Sequence, residues 1–432
     1  MKKRVVITGL GAVTPLGNDV PAFWNSMLAA RSGVGLMKAE TSDEILPVYV
    51  AAVKDFAPEK IGLPRRKLKM MGRAAQLMLA ASAEASRDAG LVGETMENLA
   101  ERCGMVVGAG MLNAEILELS SSIKTAQNSL ADKPDAIDVE TFSRAAAAEL
   151  FPLWLLRYIP NMVAAHAGIF LQTRAASNTV MNGCASAAFA VGEAARIIRR
   201  GEADVMLAGG VDARISTLAM LRYLELGWQT KETTQGAASV SKPFDRDAQG
   251  FVSGEAAGVI VLEDYEHARR RGARIFAEIL NCGAGNDAFD VLHPHPQGRG
   301  LNRAVANCLK PNGKELPAPE LVFAAANGIP EYDAATAAAL KNSFENFNFN
   351  PKVTATRSLL GHTHAASFAL DAIAAVKSIN ESIAPPTLNL ANPIADFDFI
   401  GSEGREMPVS SVLVTGYGFA GHAGALLLRR CE

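Results

Sequence analysis

Short β-branched runs that stop at a glycine recur along the 432-residue chain, each followed by a longer alanine-rich stretch with helical spacing. Strands alternating with helices in this way make an α/β body. The first run is Arg4–Thr8 before Gly9, and others are Gly104–Val107, Asn178–Met181, Asp204–Ala208, Gly258–Leu262, Leu321–Ala324, Val353–Thr356 and Val412–Thr415. Apolar residues make up 49% and charged residues 20%, which excludes a disordered chain. The length suits two or three units, or one large layered body. Aromatic residues are only 6%, so tight packing on alanine is expected before a wide aromatic cleft. A net charge of −3 with no basic block argues against nucleic acid as the main partner.

The five cysteines are scattered and never form a close Cys-x-x-Cys pair, which fits a reducing, cytoplasmic setting. Met1-Lys2-Lys3-Arg4 before Val5-Val6-Ile7 imitates a signal peptide, but the apolar run stops at Gly9 without a cleavage site and reads as a first strand. The apolar stretch Leu150–Leu171 carries Pro152, Arg157, Pro160, Asn161 and His166, so no membrane span is expected.

Ala185–Arg200 reads as a helix with Phe189, Ile197 and Ile198 on its apolar side, three arginines in the last turns and Gly201 as its stop. Cys184 therefore stands at a strand-to-helix turn. Val353–Thr356, the turn at Gly361-His362 and the alanine-rich helix from about Ala365 to Ile379 repeat that plan. Two similar halves suggest an internal duplication, one spanning 1–265 and the other 266–432, with a boundary near Glu263–Arg274. The stretch from about 109 to 174 lacks clear strands and reads as a helical insertion with Asp132–Glu140 exposed.

A cysteine at the first turn of a helix feels its positive end, which favours thiolate and lowers the pKa, so Cys184 is the best nucleophile candidate. Free cysteines are otherwise more often small core side chains. His362, at the matching turn of the second half, is its natural companion, although a lone histidine is usually structural. Gly416-Tyr417-Gly418-Phe419-Ala420-Gly421 follows a strand and is either an oxyanion-stabilising turn or a structural one.

These elements resemble, from end to end, the β-ketoacyl-acyl-carrier-protein synthases of fatty-acid and polyketide assembly. Val5-Val6-Ile7-Thr8-Gly9-Leu10-Gly11-Ala12-Val13-Thr14-Pro15-Leu16-Gly17 and Lys242-Pro243-Phe244-Asp245-Arg246-Asp247, continuing to Gly254-Glu255, are similar to the family's sequence almost letter for letter. Asn182-Gly183-Cys184-Ala185-Ser186 is similar to its nucleophile turn, Gly361-His362 to its second catalytic histidine and Gly418-Phe419 to its C-terminal gating loop. The resemblance implies a thiolase-like fold of two duplicated halves in layered α-β-α-β-α order, and a dimer built around the strand near Asn178–Met181. It implies an acyl group carried on Cys184, an oxyanion held by the N–H groups of Cys184 and Phe419, and attack by the carbanion from malonyl-carrier. Met111 matches a position lining the acyl channel. Neither cofactor nor metal is required, and the partners are acyl carrier protein and a second synthase subunit, identical or different.

The departures are as specific. Asn327, in Ala326-Asn327-Gly328-Ile329-Pro330-Glu331-Tyr332-Asp333, replaces the family's first catalytic histidine. Its amide donates a hydrogen bond but exchanges no proton near neutral pH. Arg357 stands where the family has lysine, widening a compact ammonium to a fork. Gly421-His422-Ala423 replaces Gly-Thr-Asn, so His422 is a candidate to enter the site, or else to face solvent. The leading reading is an acyltransferase that condenses. The alternative is a non-elongating partner, similar to a chain-length factor, in a heterodimer.

Other signals are weaker. Gly9-Leu10-Gly11 lacks the third glycine of a dinucleotide motif, where Thr14 stands. His293-Pro294-His295-Pro296 has no carboxylate or cysteine cluster at metal spacing. Asp245-Arg246-Asp247 is expected to tie down a turn through an ion pair, and Cys103, Cys282, Cys308 and Cys431 to pack.

Overall fold

A computed structural model describes residues 3–40, 45–111, 116–130, 136–231 and 236–431. Among them, thirteen strands form one mixed sheet. Its path runs Asp398–Phe399, Lys352–Thr354, Leu321–Phe323, Ser411–Tyr417, His422–Arg429, Ala277–Asn286, Val5–Val13, Ser253–Asp264, Val205–Ala213, Cys103–Ala109 and Ser177–Val180. The hairpin of Gly35–Glu40 and Ile45–Ala51 joins parallel to the start of Ser253–Asp264. Val5–Val13 pairs antiparallel with both Ser253–Asp264 and Ala277–Asn286, and so stitches the strands of the two halves together.

Two helices lie between the arms of this sheet. Ser186–Arg200 packs against Cys103–Ala109 and Val205–Ala213 on one side and Ala277–Asn286 and His422–Arg429 on the other. Ser367–Glu381 touches Ser253–Asp264 and Ser411–Tyr417. Alanine permits this, because a helix covered on both faces must offer small side chains around its whole circumference. Twelve of the fifteen residues of Ser367–Glu381 are buried. The layered, thiolase-like α/β architecture expected from the sequence is the one observed, and the duplicated plan is visible. Each central helix has fifteen residues and is entered through a three-residue 3-10 turn, Gly183–Ala185 in one case and His364–Ala366 in the other.

The first strand differs from its expected extent. It runs through Gly9 and Gly11 to Val13, wholly buried, instead of stopping at Gly9. Gly11 is required by a close approach: a Cβ there would lie 2.0 Å from the Ala81 carbonyl oxygen of the helix Arg73–Asp88. The Gly-x-Gly pattern thus serves helix-on-strand packing.

Between Ala109 and Arg174 the described residues form helices and no strand, as expected of the insertion. Residues 132–135 of its acidic segment lie outside the described ones. Ser177–Val180 ends the sheet, pairs on one side with Cys103–Ala109, and is exposed at Ser177 and Asn178. Met181, which follows it, and Ile169, on the helix Met162–Leu171 that packs against it, are exposed apolar side chains. No helix among the described residues is long and apolar enough to cross a membrane.

Candidate active site

The two helix entrances converge. Cys184 lies in the 3-10 turn before Ser186–Arg200, and its Sγ is 3.2 Å from Nε2 of His362. Both residues are buried. The backbone of His362 is clamped on either side, its N–H donating to the Val252 carbonyl (2.7 Å) and its carbonyl accepting from Gly254 N–H (2.9 Å). The turn carrying Cys184 is braced by Ser186, whose hydroxyl accepts from Asn182 N–H (2.8 Å) and donates to the Gly183 carbonyl (2.7 Å).

Electrostatics correct one expectation. Burial pushes the Cys184 thiol up to about 11, with Arg214 and Arg357 pulling it down and Asp212 pushing it further up. Removal of the thiolate from water outweighs the helix dipole, so the resting group is a thiol rather than a thiolate. Burial, followed by the charges of Arg357 and Arg214, holds His362 well below the usual imidazole range. A neutral thiol therefore faces a neutral imidazole across this contact. Alkylation of Cys184 by iodoacetamide is expected to quicken about tenfold per pH unit from pH 7 to near 10. A rate flat across that range, followed by mass spectrometry, would show that the thiolate is already formed at neutrality.

The Gly418-Phe419 turn rides directly on Cys184. Gly418 leaves no room for a side chain, since a Cβ there would stand 2.9 Å from Cys184 Cβ. Phe419 stacks on Trp228 at 4.1 Å between ring centroids and meets Tyr332 edge-on at 5.8 Å. Asn327 is also buried, with its N–H on Asp333 Oδ1 (2.7 Å) and its own Oδ1 accepting from Ile329 N–H (2.9 Å). Asp333 also accepts from Gly328 and Phe244 N–H, and burial raises its carboxyl to about 6 despite these bonds.

The remaining candidates are placed elsewhere. Arg357 is buried in an ion pair with Asp371 (2.8 Å) and donates to the Ala324 carbonyl (2.8 Å), so it braces the turn that carries His362. His422 opens the last strand, with Nδ1 3.1 Å from the Asn286 side-chain amide and its ring edge-on to Phe189 at 6.2 Å. Met111 is 66% exposed and lines a 440 Å³ cavity whose wall does not include Cys184. Asp245 holds its turn by accepting backbone N–H bonds from Ala391, Asn392 and Asp247, in place of the expected ion pair.

One residue beside the sulfur was missed. His364 is buried two positions after His362, with the two rings 4.6 Å apart. A ring nitrogen of each and the Cys184 sulfur lie within 4.8 Å of one another, making these three atoms the ones through which a soft cation could be held. His364 Nε2 is 2.7 Å from Ser253 Oγ, which spends its own proton on the Arg214 carbonyl (3.1 Å). Nε2 is therefore the protonated nitrogen. The only sequence signal was the spacing His362-x-His364.

Comparisons with known proteins agree on one family. Residues 2–268 match the family model described as Beta-ketoacyl synthase, N-terminal domain, and residues 276–391 that of Beta-ketoacyl synthase, C-terminal domain. A 3-oxoacyl-[acyl-carrier-protein] synthase 2 from Synechocystis sp. is 31% identical over 100% of this chain and 99% of its own. A β-ketoacyl synthase from Burkholderia phymatum superposes with a TM-score of 0.84 at 27% identity, covering both chains fully. The ishigamide ketosynthase/chain length factor superposes with a TM-score of 0.82 at 29% identity, again over both whole chains.

Proposed function

The chain belongs to the β-ketoacyl synthase family, and on that premise we propose that it transfers an acyl group from acyl carrier protein to Cys184 and condenses it with a malonyl unit. The observation that carries this reading is the buried 3.2 Å contact between Cys184 Sγ and His362 Nε2 beneath the Gly418-Phe419 loop. Sulfur attacks the thioester carbon of the acyl-carrier, the carrier's C–S bond breaks, and the thiol proton leaves with the carrier thiol by way of His362. Malonyl-carrier then releases carbon dioxide. The carbanion left behind forms a carbon–carbon bond to the acyl carbon, and the bond to Cys184 sulfur breaks. His362, which takes the tautomer protonated on Nε2 once the acylated sulfur no longer offers it a proton, and the Asn327 amide NH2 donate to the malonyl thioester carbonyl, where negative charge gathers.

A second reading is favoured by one observation, the amide at position 327. In it the chain is the non-elongating member of a heterodimer. Purified chain incubated with acyl-carrier and malonyl-carrier is expected to give an acyl adduct on Cys184, carbon dioxide and β-ketoacyl product. Product formed only when a second synthase is added would establish the heterodimer reading instead.

The exposed end strand Ser177–Val180, with Met181 after it and Ile169 on the adjacent helix Met162–Leu171, is the edge along which a second subunit pairs. Light scattering should give twice the 45.6 kDa chain mass, and a mass of one chain at micromolar concentration would reject this. Five unpaired cysteines favour the reducing cytoplasm, and recovery with a secreted fraction would argue against it.

A further inference from the structure

The surroundings of the sulfur are polar where a long alkyl chain would need apolar walls. The strand Val205–Ala213 packs against the His364–Ala366 turn, and Arg214 follows it. Arg214 Nε and Nη2 donate to the two carboxylate oxygens of Asp212 at 2.8 and 2.7 Å. Both side chains are buried, and Asp212 also accepts from Ala365 N–H (3.3 Å), the residue next to His364. Tyr223 stacks on His364 at 5.3 Å, and burial keeps its phenol protonated. The charges of both Arg214 and Asp212 act on Cys184.

Asp212, though not Arg214, also helps to line the 440 Å³ cavity, together with Gly110, Met111, Val211, Ile215 and their neighbours. Asp212 belongs both to that cavity's wall and to the cluster around the sulfur. We propose that Cys184 takes short acyl groups of acetyl size and excludes long alkyl chains, because the Arg214–Asp212 pair closes the passage from the sulfur to this cavity. A chain entering the cavity has to part the pair, leaving two charges buried without partners, which is strongly unfavourable. The proposal rests on the acyl-transfer reading of Cys184 and adds the class of acyl group to it.

The test loads the full-length protein with N-acetylcysteamine thioesters of acetate, butyrate, octanoate and dodecanoate, following the adduct by intact mass. Acetyl is expected to load at least about 100-fold faster than octanoyl. In the double variant Asp212→Ala, Arg214→Ala, no lone charge remains, and the ratio of octanoyl to acetyl loading should rise about 100-fold. Octanoyl loading in the unaltered protein within a few fold of acetyl overturns the proposal. So does a folded double variant, verified by its melting curve, that loads acetyl but gains nothing with octanoyl. The chain-length series on the unaltered protein decides the matter should the double variant fail to fold. Failure of every thioester, acetyl included, instead rejects acyl transfer at Cys184 and is thereby distinguished from a chain-length result.

Discussion

Replacing Cys184 with alanine is expected to abolish the acyl adduct and lower condensation by on the order of 10⁴-fold or more. The size of the effect follows from the absence of a substitute. Cys103 and Cys308 are buried in a strand and a helix, and burial drives both thiols up, to about 12 for Cys103. Cys282 is likewise pushed up to about 11 by burial, and it lies in the strand Ala277–Asn286. None of these sits in a helix-entrance turn under the Gly418-Phe419 loop. Stability should change by only about 1 kcal/mol, since a single sulfur is removed from a partly polar setting. A melting temperature within a few degrees of the original, together with lost product, assigns the loss to chemistry. Unchanged product from a Cys184→Ala chain assayed with a partner synthase would mean that the partner holds the acyl group, and the condensing reading would fall.

Local patterns in the sequence were enough to place Cys184 and His362, because each is marked by what precedes it: a glycine in a short turn between a strand and an alanine-rich helix. The neighbours of the sulfur were not legible in the same way. Asp212 and Arg214 look like the polar end of a strand, and what makes them matter is an amide at Ala365 and a hydroxyl at Ser253, both distant in sequence. Tyr223 and His364 are brought together only by folding. The direction of the Cys184 shift was misjudged for the same reason. A helix dipole is read from adjacent residues, whereas desolvation depends on everything packed around the turn. Arg357 shows the converse. Its replacement of lysine reads as a compact ammonium widened to a fork, and Asp371, fourteen residues on along the next helix, claims that guanidinium.

Position 327 is where the chemistry can be strengthened. Asn327 accepts the Ile329 N–H through Oδ1, a bond that a histidine can keep by accepting through Nδ1. That tautomer leaves Nε2–H as a donor in place of the amide NH2, and the imidazole can also carry a proton near neutral pH, which an amide cannot. The loop itself is held independently of the side chain, since Asp333 accepts the backbone N–H groups of residues 327 and 328. The variant Asn327→His should therefore fold as the original does and release carbon dioxide from malonyl-carrier about 10²–10³ faster. Asn327→Ala should slow the same step, because the malonyl carbonyl then loses its second donor. If both substitutions leave carbon dioxide release unchanged while Cys184 still acylates, the side chain at 327 does not meet the malonyl unit. The step would then depend on His362 alone, and the amide would be a part of the loop's scaffold.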